Sequence, residues 1–227
     1  MLSTHSSLKL IIFDLDGTLI DTVADLGDAV NHALGLFGFP ERSYQEVISF
    51  VGNGTLKLIE RALPEDMQSD HELIAKVHDE FTARYAGHYA DKSKVYDGIP
   101  EVLEYLRTHG VKLAVLSNKP DRFTKALIGM FFPSIFDVVL GSGENTPRKP
   151  DPTGEMSIIN SFGLSPEECL HVGDSDTDVK TAHNAGVKVI GCTWGFRPRA
   201  TLESAGAEFI VDKPEDIIKI FAKTVEN

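Results

Sequence analysis

The chain has 227 residues, with 22 basic and 34 acidic side chains and a net charge of −12. That balance argues against non-specific nucleic-acid binding and against attraction to anionic membrane surfaces, while a locally cationic or metal-bearing site for an anionic small molecule stays open. A hydrophobic content of 42% predicts a soluble globular protein with a sizeable core, and two cysteines in apolar runs, Cys169 and Cys192, suit a reducing cytosol rather than a disulfide framework.

In chain order, Met1 to Ser7 lacks the basic start and long apolar stretch of a signal peptide. No segment approaches the roughly 20 apolar residues of a membrane span. The expectation is a cytoplasmic protein, monomer or homodimer. Leu8 to Phe13 is a strand-sized apolar run that stops at Asp14. The next block reads as helices and loops without a convincing strand. Val23, Leu26, Val30, Leu34 and Phe37 recur at helical spacing, as do Phe81, Tyr85 and Tyr89, and Leu56 to Leu63 is a further amphipathic run.

From Val111 onward the pattern changes. Short β-rich runs at 111–116, 137–140, 170–172, 187–190 and 209–211 alternate with helical stretches at 100–109, 122–130, 176–185 and 215–222. Strand–helix alternation predicts an α/β fold, a doubly wound parallel sheet with helices on both faces. The simplest organisation is an α/β core of residues 1–19 and 95–227, with a small all-helical cap of residues 20–94 inserted after the first strand.

Four segments carry chemistry. In Phe13-Asp14-Leu15-Asp16-Gly17-Thr18-Leu19 an apolar strand ends in two carboxylates two residues apart, which strand geometry points the same way. Such a pair repels itself unless a cation intervenes or one acid is protonated, and ligands of open α/β sheets bind at that strand edge. In Val172-Gly173-Asp174-Ser175-Asp176-Thr177-Asp178 a second strand ends in acids. Asp176 and Asp178 suit a helix N-terminus as simple dipole partners, whereas Asp174 at the strand tip, behind a glycine, points to a site. Leu116-Ser117-Asn118-Lys119-Pro120 closes a third strand, and Pro120 opens a helix whose N–H groups suit a phosphate. Arg148-Lys149-Pro150-Asp151-Pro152 places a cation in a proline-pinned loop. Other motifs fail: Gly141-Ser142-Gly143 has no third glycine at Thr146, no phosphate-binding P-loop pattern is present, and His171, inside an apolar strand, reads as a core histidine.

The ordered set of Asp14, Asp16, Ser117-Asn118, Lys149-Pro150 and Gly173-Asp174-Ser175 with Asp178 closely resembles the haloacid dehalogenase superfamily of phosphohydrolases. The helical insert resembles that superfamily's helical-cap class. Val51-Gly52-Asn53-Gly54 and Ser117-Asn118-Lys119-Pro120 resemble the phosphoglycolate phosphatases within it. The resemblance implies a small-molecule phosphate ester as substrate and Asp14 as a nucleophile that forms an aspartyl-phosphate. It implies Asp16 as general acid and base, and Ser117 and Lys149 on the phosphate oxygens, with Asn118 at the substrate. It implies Mg2+ held by the Asp14 and Asp174 carboxylates and the Asp16 carbonyl, with Asp178 either a further acid at the metal or an orienter of Lys149. Gly52, Asn53 and Gly54 are expected to form the cap loop that meets the substrate, with Lys57 or Arg61 supplying charge. A phosphosugar mutase or pyrophosphatase of the same superfamily, and a phospho-accepting signalling module on a doubly wound sheet, are the alternative readings.

Overall fold

The computed structural model describes residues 8–225; the leader reading at Met1–Ser7 lies outside them. Six parallel strands form one sheet in the order β5-β4-β1-β6-β7-β8. They are β1 (Leu10–Phe13), β4 (Lys112–Pro120), β5 (Val138–Ser142), β6 (Cys169–Gly173), β7 (Lys188–Cys192) and β8 (Phe209–Val211). Two short strands, β2 (Ile20–Asp21) and β3 (Lys94–Val95), pair separately. The parallel α/β architecture expected from the alternation is present.

β1 lies at the centre because its four residues are apolar on both sides. Ile11 and Phe13 join one core cluster, with Val115 and Val172, while Leu10 and Ile12 join another, with Ala114 and Val189. The period of two thus divides one run between the two layers of a sheet buried on both faces. Helices α5 (Ile99–Thr108) and α10 (Glu215–Val225) contribute to the first layer, and α7 (Thr153–Ser161) and α8 (Asp176–Ala185) to the second. α6 (Asp121–Phe131) follows β4, and α9 (Arg199–Ala205) precedes β8. α7 and α9 lack a clear helical pattern in the sequence. Both are short, and α7 carries polar residues on much of its surface.

The block after β1 holds four helices: α1 (Val23–Leu36), α2 (Tyr44–Phe50), α3 (Thr55–Ala62) and α4 (His71–His88). It has its own core. Leu26, Val30 and Leu34 of α1 meet Leu58 and Ile59 of α3 and Phe81 and Tyr85 of α4, with Phe123 reaching in from α6. Phe81 and Tyr85 stack with ring centroids 5.5 Å apart. The Ser43–Glu46 capping box starts α2.

One feature departs from the expectation of a strand-free block. β2 and β3 pair antiparallel, Ile20 with Val95 and Asp21 with Lys94, so the chain's exit toward the helices and its return are zipped together. Two residues per strand are too few for any periodicity to register in sequence. β4 also runs further than the expected stop at Leu116. Its ladder to β5 resumes at Pro120 after an irregularity, so Ser117, Asn118 and Lys119 lie inside the strand's extent.

Candidate active site

The site is built at the C-terminal edge of β1, β4 and β6. Asp14 continues β1, and its N–H donates to the Val172 carbonyl of β6 at 2.9 Å. The chain then folds back. The Leu15 carbonyl accepts from the N–H groups of Thr18, Leu19 and Ile20, and Gly17 takes a φ of +87° that favours glycine. This tight turn sets Asp16 beside Thr22, whose hydroxyl donates to Asp16 Oδ1 at 2.6 Å.

Asp174 and Asp178 come from the β6–α8 junction. Ser175 caps α8 by accepting from the Asp178 N–H, and its own N–H and hydroxyl donate to Asp178 Oδ2 at 3.0 and 2.6 Å. Asp178 Oδ1 accepts from the Lys149 ammonium at 2.5 Å. Asp174 Oδ2 accepts from the Phe196 N–H at 2.6 Å. Lys149 also meets Asp14 Oδ1 at 2.8 Å. Asn118 fixes that lysine's backbone, accepting from its N–H at 2.6 Å and donating to its carbonyl at 3.0 Å, and it also donates to the Gly52 carbonyl at 2.9 Å.

Charges are unequal across the cluster. Burial, helped by the Asp178 carboxylate and opposed by Lys149, pushes the Asp14 carboxyl up to about 6. Asp174 is raised well above the usual range by burial and by Asp178 and Asp14. Asp178 goes the other way: burial would raise it, but Lys149 and His171 outweigh that. Behind it, fully buried His171 lies 3.2 Å from Glu155 and 3.6 Å from Asp178, and those acids push its imidazole up to about 9 against the effect of burial.

One oxygen from each of Asp14, Asp174 and Asp178 lies within 4.8 Å of the others, and all three residues are buried. Two of the three hold protons more tightly than a solvated carboxyl. An all-oxygen set with surplus negative charge suits a hard divalent cation such as magnesium. Asp178 lies both in this cluster and against Lys149.

The cavity above the cluster brings together nearly all residues singled out in the sequence: Asp14, Asp16, Ser117, Asn118, Lys149, Asp174, Asp178, Gly52 and Gly54. Asn53 is not on its wall, although its two glycine neighbours are. Lys57 and Arg61 do not line it either. Lys57 pairs with Glu60, and Arg61 donates to the Phe50 carbonyl at 2.9 Å. The face of α3 that meets the cavity is the Thr55–Leu58 face.

Two lining cations escaped the sequence reading. Lys119 projects from β4 and contacts both Asp16 oxygens at 3.0 and 3.1 Å. Arg197, in the loop after β7, donates to the carbonyls of Ile48 at 2.7 Å and Val51 at 2.5 Å. Lys119 stands inside a recognised motif, in the segment expected to close a strand, but the motif assigns no role to its own side chain. Arg197 sits two residues from Arg199 and reads as an ordinary surface arginine.

The family model for haloacid dehalogenase-like hydrolases matches residues 11–192, which span every acid, hydroxyl and lysine of this site. The chain belongs to that family. As a haloacid dehalogenase-like hydrolase it is similar to the phosphoglycolate phosphatase of Mannheimia succiniciproducens, with 34% identity over 95% of this chain and 99% of the relative. It is 34% identical to phosphoglycolate phosphatase 1 of Pseudomonas aeruginosa over 92% of this chain and 78% of that protein. Among solved structures it resembles a predicted phosphoglycolate phosphatase from Haemophilus somnus, with a TM-score of 0.88, 32% identity, and coverage of 96% and 99% of the two chains.

Proposed function

We propose that this hydrolase is a magnesium-dependent phosphomonoesterase that works through an aspartyl-phosphate, with 2-phosphoglycolate or a similarly small anionic ester as substrate. The observation that carries the reading is the placement of Asp14. Its carboxylate is buried at the strand edge, in contact with Lys149, beside Asp174 and Asp178, on the same cavity as Asp16. The names borne by the relatives supply the substrate class.

Asp14 attacks phosphorus, and the ester oxygen leaves as the new acyl-phosphate bond forms. Asp16 gives a proton to that leaving oxygen, then takes one from the water that attacks the acyl phosphate. Ser117 and Lys149 hold the phosphoryl oxygens and offset their charge through transfer. Asn118 keeps Lys149 in place through its backbone. Asp14, Asp174 and the Asp16 carbonyl, with Asp178 alongside, would hold Mg2+, which when bound supplies further positive charge to the phosphoryl group. Residues 20–94 form the cap, hinged at the β2–β3 pairing, and Gly52, Asn53 and Gly54 form its loop over the substrate.

A phosphate-release assay over phosphoglycolate, pyrophosphate and sugar phosphates, with and without chelator, tests this. Magnesium-dependent release favouring phosphoglycolate is expected. Full activity after exhaustive chelation would remove the metal. Transfer of the phosphoryl group to a second sugar hydroxyl, in place of its release, would make the enzyme a mutase.

A further inference from the structure

Lys119 is a buried cation whose position the hydrolytic chemistry alone does not require. Its side chain is 2% exposed, and its ion-pair partner among the described residues is Asp16. Taking an ammonium out of water is costly unless its surroundings compensate. Asp16, itself also bonded to Thr22, and Tyr85 supply that compensation, and they hold the ammonium charged against the effect of burial. The lysine nevertheless opens onto the cavity.

The surroundings are those of an anion receptor. The Tyr85 ring packs against the ammonium, with Nζ 4.9 Å from its centroid. The Tyr85 hydroxyl is buried beside that ammonium without a hydrogen bond of full geometry among the described residues. Buried polar groups are rarely left unpaired unless something absent completes them. The other two cations on the cavity wall are committed elsewhere. Lys149 binds Asp14 and Asp178, and Arg197 binds the carbonyls of Ile48 and Val51. Leu26, Leu58 and Phe196 add apolar surface to the wall, suited to a short carbon chain.

We propose that Lys119, backed by Tyr85, receives the carboxylate of the substrate's leaving group and is the residue that selects an acidic ester. This rests on the reading of the site as a phosphomonoesterase for phosphoglycolate. The geometry follows from Asp16. A general acid must reach the leaving oxygen, and in phosphoglycolate the carboxyl carbon is two bonds beyond that oxygen. An ammonium touching both oxygens of Asp16 therefore stands where that second carboxylate arrives. Sharing one cation between Asp16 and the substrate also aligns the leaving oxygen with its proton donor.

The test compares kcat/KM for phosphoglycolate with that for 2-hydroxyethyl phosphate, which keeps the chain length and loses the carboxylate. The parent enzyme is expected to prefer phosphoglycolate. Lys119→Met is expected to lower that preference by about 10- to 100-fold, the worth of one charge-assisted hydrogen bond. Any loss from disturbing Asp16 falls on both substrates and cancels in the ratio. Lys119→Arg and Tyr85→Phe keep the bulk of the pocket and serve where Lys119→Met fails to fold. Each is expected to raise KM for phosphoglycolate more than for the neutral ester. Equal losses on both substrates, in a parent that does prefer phosphoglycolate, would overturn the role of Lys119 and leave the phosphatase reading standing. A parent with no preference would overturn the substrate reading and this inference together.

Discussion

Asn118 holds Lys149 by both of its backbone groups, the amide oxygen accepting from the lysine N–H and the amide nitrogen donating to the lysine carbonyl. The ammonium that meets Asp14 is thus aimed by its backbone as well as by Asp178. Asn118→Ala is expected to cost about 1–3 kcal/mol of stability, the penalty for leaving buried partners unpaired. It should also lower kcat by more than it changes the melting temperature implies, because Lys149 is released from its register. Steady-state kinetics beside calorimetry checks this; an unchanged kcat would show that Asp178 alone positions the lysine.

Asp14→Asn is expected to abolish turnover and keep the fold. The amide is close to isosteric but is a poor nucleophile. It also removes a buried carboxylate that crowds Asp174 and Asp178, so melting of the metal-free protein should not fall. Near-normal phosphate release by the purified variant would rule out Asp14 as nucleophile.

Divalent-cation affinity is expected to rise with pH through the region of 6. Asp14 holds its proton up to about 6, and Asp174 is raised as well. A cation binds the ionised forms, so protons compete below that range and are released on binding. Calorimetry at about pH 5 and about pH 8, in buffers of different ionisation heat, reads both the affinity and the proton count. A pH-independent affinity would show that these carboxylates are not the ligands.

His171 should make stability fall in alkali. Its imidazole titrates near 9 in the folded protein, against about 6.5 in an unfolded chain. The raised value means that the protonated form is favoured by folding. Its contribution is therefore complete below about 6.5 and is lost as pH rises through about 9. Replacing His171 strands Glu155 and takes one cation from beside Asp178, an expected loss of about 3–5 kcal/mol near neutral pH. Denaturant midpoints of the parent and His171→Gln at about pH 6 and about pH 10 should converge with rising pH. A constant gap would place the effect in packing rather than charge.

The sheet and the acid edge were legible because their signals are local. Apolar runs ending in acids two apart, or at a glycine, report strand tips directly, and Asp14, Asp16 and Asp174 all come to the cavity. The cap loop was legible as a segment, but its orientation was not. Gly52 and Gly54 face the cavity, while Lys57 and Arg61 turn to Glu60 and Phe50. Which face of a short helix points inward depends on packing against distant residues, which spacing alone cannot supply. Arg197 illustrates the same limit, since its partners Ile48 and Val51 lie far away in sequence. The β2–β3 pairing is a contact between residues whose individual propensities say nothing.

Around Asp174 the backbone is bare on several sides. A methyl group added at Gly17 or Gly195 would collide with its carboxylate, and one at Gly173 would strike Asp178. Tolerance to substitution here is governed by volume, not by functional groups. A mutational scan should find some of the most damaging positions at residues that have no chemistry to lose. Gly195→Ser, harmless by any reading of side-chain function, is expected among the substitutions that abolish function.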